Sequence, residues 1–309
     1  MNMKFLFFAI MKYLFYFGNI RLTFCSERIP YFSRETLLFQ NAPLETSDLC
    51  EDDYTDYEVD VVQVDTSPAP SGIADFRGES LEVYGPDRYY FNPDYKDAEG
   101  RPQRYARSRK EGKHILVQYL ENSNYWNNSS FSVLNLAHLE TIFGENDSIL
   151  LHSCYTEYKG NAILFTAPSG TGKTTQAEKW VRLFGSRIVN GDLSLLYRSQ
   201  KSPAWYCGGF FYHGSAPECN NETYPLKTIV ILRQSPDNRV VQMSKVFLTG
   251  MLLSEMFINN WDSEQMEGAL ALVDHLVNHV QVLLYYCNIE DASAVVLYDY
   301  LYGDVNGTL

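Results

Sequence analysis

The chain has 309 residues, with 25 Lys plus Arg against 38 Asp plus Glu, so its formal charge is −13. Apolar residues make up 45% and charged residues 20%, which excludes a disordered, collagen-like or membrane-embedded chain. The acidic excess argues against a nucleic-acid-binding surface, which carries a basic surplus.

Aromatic residues reach 15%, with 23 Tyr and 18 Phe, and favour strands around an aromatic core. At the N-terminus Lys4 precedes an apolar run, Phe5–Met11, that mimics a signal peptide. The run covers 7 residues, far short of the ~20 a spanning helix needs. Lys12 ends it and no small-x-small cleavage site follows. The expectation is an early strand over Tyr13–Phe24, with Met11 as an alternative start. Six cysteines (25, 50, 154, 207, 219 and 287) form no Cys-x-x-Cys pair, which fits reduced thiols and a cytoplasmic location.

Residues 1–45 read as strands and turns. Residues 48–60 are acidic and Tyr-rich; carboxylates of this density can hold a metal, but calcium-loop spacing is absent and a solvated face or strand edge is the simpler reading. Thr66–Gly72 reads as a loop. Residues 85–113 read as loop-rich, ending in a basic cluster of Arg101, Arg104, Arg107, Arg109, Lys110 and Lys113. That cluster is either a solvated loop or a surface for an acidic or phosphorylated partner.

Beyond residue 113 the pattern tightens. His114–Leu120 is expected as a strand and Ser132–Phe143 as a helix stopped by Gly144. Ile149–Tyr158 and Asn161–Thr166 are expected as an antiparallel hairpin turning at Lys159-Gly160. An amphipathic helix, Lys173–Phe184, ends at Gly185, and a strand begins at Arg187–Val189. A strand over Leu226–Leu232, helices over Val246–Trp261 and Ser263–His279, a strand over Val280–Tyr286 and a helix over Asp291–Leu301 complete a mixed α/β order.

The chemistry is carried by Ala167-Pro-Ser169-Gly170-Thr171-Gly172-Lys173-Thr174-Thr175. It matches the phosphate-binding loop, the Walker A pattern G-x-x-x-x-G-K-[ST], with Ala in place of the first Gly. Gly170 and Gly172 let the backbone turn tightly, so that N–H groups from Ser169 to Thr175 can surround phosphate oxygens. The following helix adds its N-terminal partial charge. Lys173 suits the β- and γ-phosphates of ATP, and the Thr174 hydroxyl suits Mg²⁺. Asp192, 19 residues past Lys173, follows an apolar strand and can hold Mg²⁺ through water or take a proton from an incoming hydroxyl. Asn190 is a candidate for orienting the same water shell. So short a gap between lysine and acid is kinase-like.

The segment Leu151-His152 through the Gly160 turn and the 161–166 strand to Ser169-Gly-Thr-Gly-Lys-Thr174 resembles the catalytic core of the HPr kinase/phosphorylase family. Its loop is also similar to that of ATP-dependent phosphoenolpyruvate carboxykinase, which shares that fold. The resemblance implies that His152 lies near the transferred phosphate, where it can polarise a hydroxyl or stabilise phosphate charge. It aligns Asp192 with the second of the family's paired acids; the first is replaced by Gly191. The loop signature used for phosphorolysis is missing. Relatives of this core phosphorylate peptide precursors, so the implied acceptor is a Ser or Thr of a peptide or protein.

Weaker constellations remain. Cys207, His213 and Cys219 supply zinc-type donors at an odd spacing. A Gly-rich loop, Gly208–Gly214, followed by Ser215-Ala216-Pro217, is expected near the acceptor. His275 and His279 share a helical face without the Glu of a metalloprotease motif. Arg233 and Arg239 follow a strand and are candidates for nucleotide contact.

The expectation is therefore an α/β (mixed) protein. Residues 111–309 form a P-loop core of the HPr kinase and carboxykinase type, its loop fed by a β-hairpin, and residues 1–110 form a β-rich accessory region. The expected transferase activity moves the γ-phosphate of Mg-ATP to a peptide or protein hydroxyl, using His152, Asp192 and Lys173 as catalytic groups. Residues 169–175 bind nucleotide, and Thr174 and Asp192 hold magnesium. No membrane or nucleic-acid partner is expected, and assembly into a homo-oligomer stays open. A non-catalytic nucleotide sensor and a small-metabolite P-loop kinase are the alternatives; a fully parallel sheet around the loop would mark the latter.

Overall fold

The computed structural model describes residues 10–28, 30, 32–41, 54–96, 100–120, 133–198 and 203–303. The signal-like run up to residue 9, the acidic residues 48–53, Cys50 and Ser132 lie outside the described residues. The chain divides into two compact units. One takes the described residues of 1–16, 20–42 and 54–139, the other those of 17–19 and 140–309. The expected boundary at 110/111 falls inside a strand of the first unit.

The first unit is built on β1 (Met11–Phe17), β2 (Ile20–Ser26), a one-turn helix α1 (Arg34–Leu37), β3 (Thr55–Val64), β4 (Phe76–Arg77), β5 (Leu81–Tyr84), β6 (Asp87–Lys96), β7 (Pro102–Glu111) and β8 (His114–Leu120). These strands form one sheet in the order β1-β2-β3-β8-β7-β6-β5-β4. β3 runs parallel to both β2 and β8, and the remaining pairs from β8 to β4 are antiparallel. Residues alternate across the sheet, as a period of two requires. Leu22, Phe24, Val59, Val61, Ile115 and Val117 are buried, while Asp56, Glu58 and His114 point outward.

Residues 85–113 depart from expectation, because most of them belong to the β6–β7 hairpin rather than to a loop. Their basic side chains are answered across strands. Arg104 pairs with Glu82 at 2.6 Å, Arg107 and Arg109 pair with Asp87 at 2.8 and 2.7 Å, and Lys110 lies over the Tyr57 ring. Burial pushes the Asp87 carboxyl up, but the hydrogen bonds from Arg109 and Arg107 outweigh it and hold it below the usual range. Much of the cluster's charge is thus satisfied within the sheet.

The second unit contains α2 (Leu139–Glu145), β9 (Ser148–Tyr158), β10 (Asn161–Thr166), α3 (Lys173–Phe184), β11 (Arg187–Asn190), β12 (Leu193–Arg198), β13 (Trp205–Gly208), β14 (Thr223–Gln234), β15 (Arg239–Val241), α4 (Lys245–Leu253), α5 (Ser263–His279), β16 (Gln281–Cys287) and α6 (Ala292–Tyr302). Six strands pair in the order β11-β9-β10-β14-β16-β15. The first halves of β9 and β14 bend away to pair with β12 and β13, closing a ring of strands.

Both faces of the six-stranded layer are covered, so β10 is apolar without alternation. Its Ala162 and Leu164 pack towards Leu248 and Leu252 of α4 and Leu272, Val273 and Leu276 of α5. Its Ile163 and Phe165 pack towards Ala177 and Trp180 of α3 and Ala294 and Leu297 of α6. Trp180 is fully buried, and truncation of such a residue costs about 3–5 kcal/mol.

Two expected helices differ from the reading above. The segment expected as a helix over 132–143 is broken at His138, whose φ is 55°, into a short 3-10 turn and α2. The helix expected over Val246–Trp261 stops at Leu253, because Met256 bridges to Leu151 and the Phe257 N–H donates to the Leu150 carbonyl.

Candidate functional site

β10, β14 and β16 are mutually parallel, and β11 runs the same way because it and β10 are both antiparallel to β9. Their C-terminal ends therefore share one edge. At that edge open sheets of this kind leave a crevice. The 167–172 loop, the Asn190–Asp192 turn, Gln234–Pro236 and Cys287–Ile289 all emerge there. A cleft of about 580 Å³ lies between the loop residues Gly170, Thr171 and Gly172, Thr175 of α3, and the ends of β14 and β16.

The loop is a tight turn, with the Thr171 N–H donating to the Pro168 carbonyl at 3.2 Å. Gly170 and Gly172 have φ of 77° and 111°, which a residue with a Cβ rarely adopts. Gly172 also caps α3. Ser169, Gly170 and Thr175 are exposed, Thr171 and Thr174 half-buried.

Lys173 opens α3 but is only 7% exposed, because its side chain folds back under the loop. Its Nζ donates to the Ala167 carbonyl at 3.0 Å and lies 2.9 Å from His152 Nε2. Burial pushes the Lys173 ammonium down from its ordinary value. His152 sits on β9, where it crosses from one pairing partner to another. Its own carbonyl accepts from the Thr166 hydroxyl at 2.8 Å, which ties β9 to the end of β10.

The imidazole is held from both sides. Nδ1 lies 3.2 Å from Glu255 Oε2 and Nε2 lies 3.3 Å from Asp192 Oδ1. Hydrogen bonding to Asp192 raises the His152 pKa, against burial and the neighbouring Lys173, with Glu255 adding to the rise. In return His152 holds the Asp192 carboxyl low, against burial. Nε2 thus has two uses: its lone pair serves Lys173 when the ring is neutral, and its proton serves Asp192 when the ring is charged.

Asp192 is positioned by its turn. Asn190, fully buried, accepts at Oδ1 from the Asp192 and Leu193 N–H groups at 2.9 and 3.0 Å. Its Nδ2 donates to the Phe210 and Tyr212 carbonyls at 2.6 and 3.2 Å, which brings the Gly-rich 208–214 segment against the turn. Gly214 lies so near that a Cβ there would stand 3.0 Å from the Asp192 carboxyl. At Gly191 a Cβ would meet Ala216 Cβ at 2.1 Å, so an acid in place of Gly191 does not fit this turn.

The geometry therefore joins Lys173, His152 and Asp192, and adds Glu255, which sequence reasoning missed. Glu255 follows the end of α4 and is 103 positions from His152, with no local motif to mark it. Other candidates fall elsewhere. The Cys207 thiol is buried and contacts the Gly208 carbonyl, and the Cys219 thiol contacts the Phe210 carbonyl. Among the described residues they form no metal-ligating group with His213. The rings of His275 and His279 stack 3.9 Å apart, and His275 Nδ1 accepts from the Trp205 indole. Arg239 lies over the Tyr286 ring. Among the described residues no two cysteines are joined in a disulfide. Among the described residues no helix is long and apolar enough to cross a membrane.

A family model described as "SynChlorMet cassette protein ScmC" matches residues 126–276. No curated protein matches the chain. Among solved structures, the Hpr(Ser) kinase/phosphatase from Coxiella burnetii superposes over 49% of this chain and 95% of its own, with 8% identity and a TM-score of 0.29. At that score the likeness is weak.

Proposed function

We propose that the second unit is a P-loop phosphotransferase that binds Mg-ATP at residues 169–175 and passes the γ-phosphate to a Ser or Thr hydroxyl of a peptide or protein. The observation that carries this reading is the meeting of Lys173, His152 and Asp192 beside a glycine-turned loop at the C-terminal edge of parallel strands.

The residues fit the ligands. Gly170 and Gly172 have open space where a Cβ would stand, so phosphate oxygens can approach the backbone. Thr174 and Asp192 offer the hard oxygen donors magnesium prefers. The ion, when bound, supplies charge neutralisation between phosphate oxygens. The loop N–H groups and Lys173 bind and orient the phosphates. His152, held by Glu255, steadies the Lys173 ammonium. Asp192 accepts the proton of the incoming hydroxyl or holds the metal shell. The alternative of a small-metabolite kinase is less well supported, since β10 has an antiparallel neighbour in β9 and a parallel one in β14.

A second reading, a nucleotide sensor without turnover, is favoured by the steric closure at Gly191, which leaves one acid in place of a pair. ATP carrying a labelled γ-phosphate separates the two. Incubated with magnesium and a mixed library of Ser- and Thr-containing peptides, the enzyme should form ADP and label hydroxyl side chains. ATP binding with no ADP and no labelled peptide would leave only the sensor.

A further inference from the structure

The described end of the acidic 48–60 stretch lies on β3. Within the first unit, β3 alternates Tyr57, Val59 and Val61 into the core with Asp56, Glu58 and Asp60 on the opposite face. Its parallel neighbour β2 sets Cys25 level with Asp60, and β8 sets His114 level with Glu58. Three strands therefore present sulfur, oxygen and nitrogen donors on one face.

The ligating atoms of Cys25, Glu58 and Asp60 lie within 4.8 Å of one another. The Cys25 thiol, on a residue only 6% exposed, points its proton at Glu58 Oε1, 3.4 Å away. His114 Nε2 stands 3.0 Å from Asp60 Oδ2, the arrangement in which an imidazole fixes a ligating carboxylate from outside. A cleft of about 390 Å³ opens beside the group, lined by Cys25, Asp60, Ser26 and Arg28 among others. Two carboxylates and a thiol brought this close repel one another once the thiol ionises, and a divalent cation relieves that cost.

We propose that Cys25, Glu58 and Asp60 form a binding site for a divalent transition-metal ion of the zinc class, with His114 orienting Asp60 and a fourth position open to the cleft. A mixed sulfur and oxygen donor set suits zinc better than magnesium or calcium, which take oxygen alone. Binding exchanges the Cys25 S–H bond for a sulfur–metal bond and releases one proton to solvent. All four residues belong to the first unit, so this site stands apart from the phosphotransferase reading.

The test uses full-length protein stripped of metal and titrated with Zn²⁺ by calorimetry, and with Cd²⁺ by near-ultraviolet absorption. One equivalent of Cd²⁺ should raise a thiolate-to-metal charge-transfer band, and Cys25→Ser should abolish it while Cys50→Ser and Cys219→Ser keep it. Glu58→Gln, an exposed and foldable change, should weaken Zn²⁺ binding at least tenfold. His114→Ala should weaken it roughly 10- to 100-fold, as loss of an outer partner does. A band that survives Cys25→Ser, a Glu58→Gln variant with unchanged affinity, or no band in the unaltered protein would each overturn the site.

Discussion

Lys173 Nζ lies 2.9 Å from His152 Nε2, although the two residues belong to different elements on either side of the loop. The contact turns the ammonium beneath the loop backbone, and the imidazole that receives it is itself held by Glu255. On the proposed function, a lysine held in this position starts from a defined place, which reduces the ordering cost of binding phosphate.

Glu255 should act as a positioning residue. Its carboxylate meets Nδ1 and so leaves Nε2 to face Lys173 and Asp192. We expect Glu255→Gln to keep ATP affinity within a few-fold and to lower turnover about 10- to 100-fold, the scale on which loss of an outer partner of a metal-bound histidine acts. Steady-state kinetics with ADP formation as the readout check this, with circular dichroism reporting the folded fraction, and a loss of kcat matched by an equal loss of folded protein would assign Glu255 to folding instead.

Asp192→Asn keeps the shape of the turn, whose Asn190 bonds go to backbone N–H groups rather than to the Asp192 side chain. Nucleotide binding should therefore survive. Magnesium-dependent turnover should fall by roughly 10²- to 10⁴-fold, the scale of a lost general base. Full turnover in this variant would remove the role given to Asp192.

Gly214→Ala should act on the same carboxylate from outside. Gly214 has φ of 61°, and a Cβ would press on Asp192 at 3.0 Å. Strain of this kind costs on the order of 1 kcal/mol or more. We expect a small loss of Tm and a larger loss of turnover, measured side by side. A variant with normal turnover would show that the 208–214 segment does not shape the site.

In the first unit, Asp87 receives Arg107 and Arg109, and its carboxyl is held low in the native state. A lowered native pKa gives stability that is complete above the unfolded value of about 4 and fades as pH falls through the native value. Asp87→Asn should thus destabilise the protein at neutral pH, and the gap between variant and parent should close in acid. Urea midpoints at several pH values report it, and a gap that is constant with pH would point to packing alone.

The hairpin, α3 and the strand before Asp192 could be read from residues in sequence, because each is announced locally. Lys159-Gly160 marks a turn, Gly185 stops a helix, and β10 is apolar on both faces. Glu255 could not be read, since long-range backbone pairing brings it to His152: the Met256–Leu151 bridge and the His152 N–H donating to the Glu255 carbonyl at 2.8 Å. The β6–β7 hairpin reads as loop in sequence, since nothing near its arginines marks a partner. Their partners Glu82 and Asp87 lie 20 or more residues away, and cross-strand register decides the pairing. The Gly191 substitution was visible, but its steric cause, Ala216 across the turn, was not.

The reading rests most heavily on the grip of Lys173 and its loop on a triphosphate. Calorimetric titration of Mg-ATP into the parent protein and into Lys173→Ala, with circular dichroism confirming that both are folded, tests it directly. The parent should bind one equivalent and the variant should give no saturable heat. A folded Lys173→Ala protein that binds Mg-ATP as tightly as the parent would contradict it.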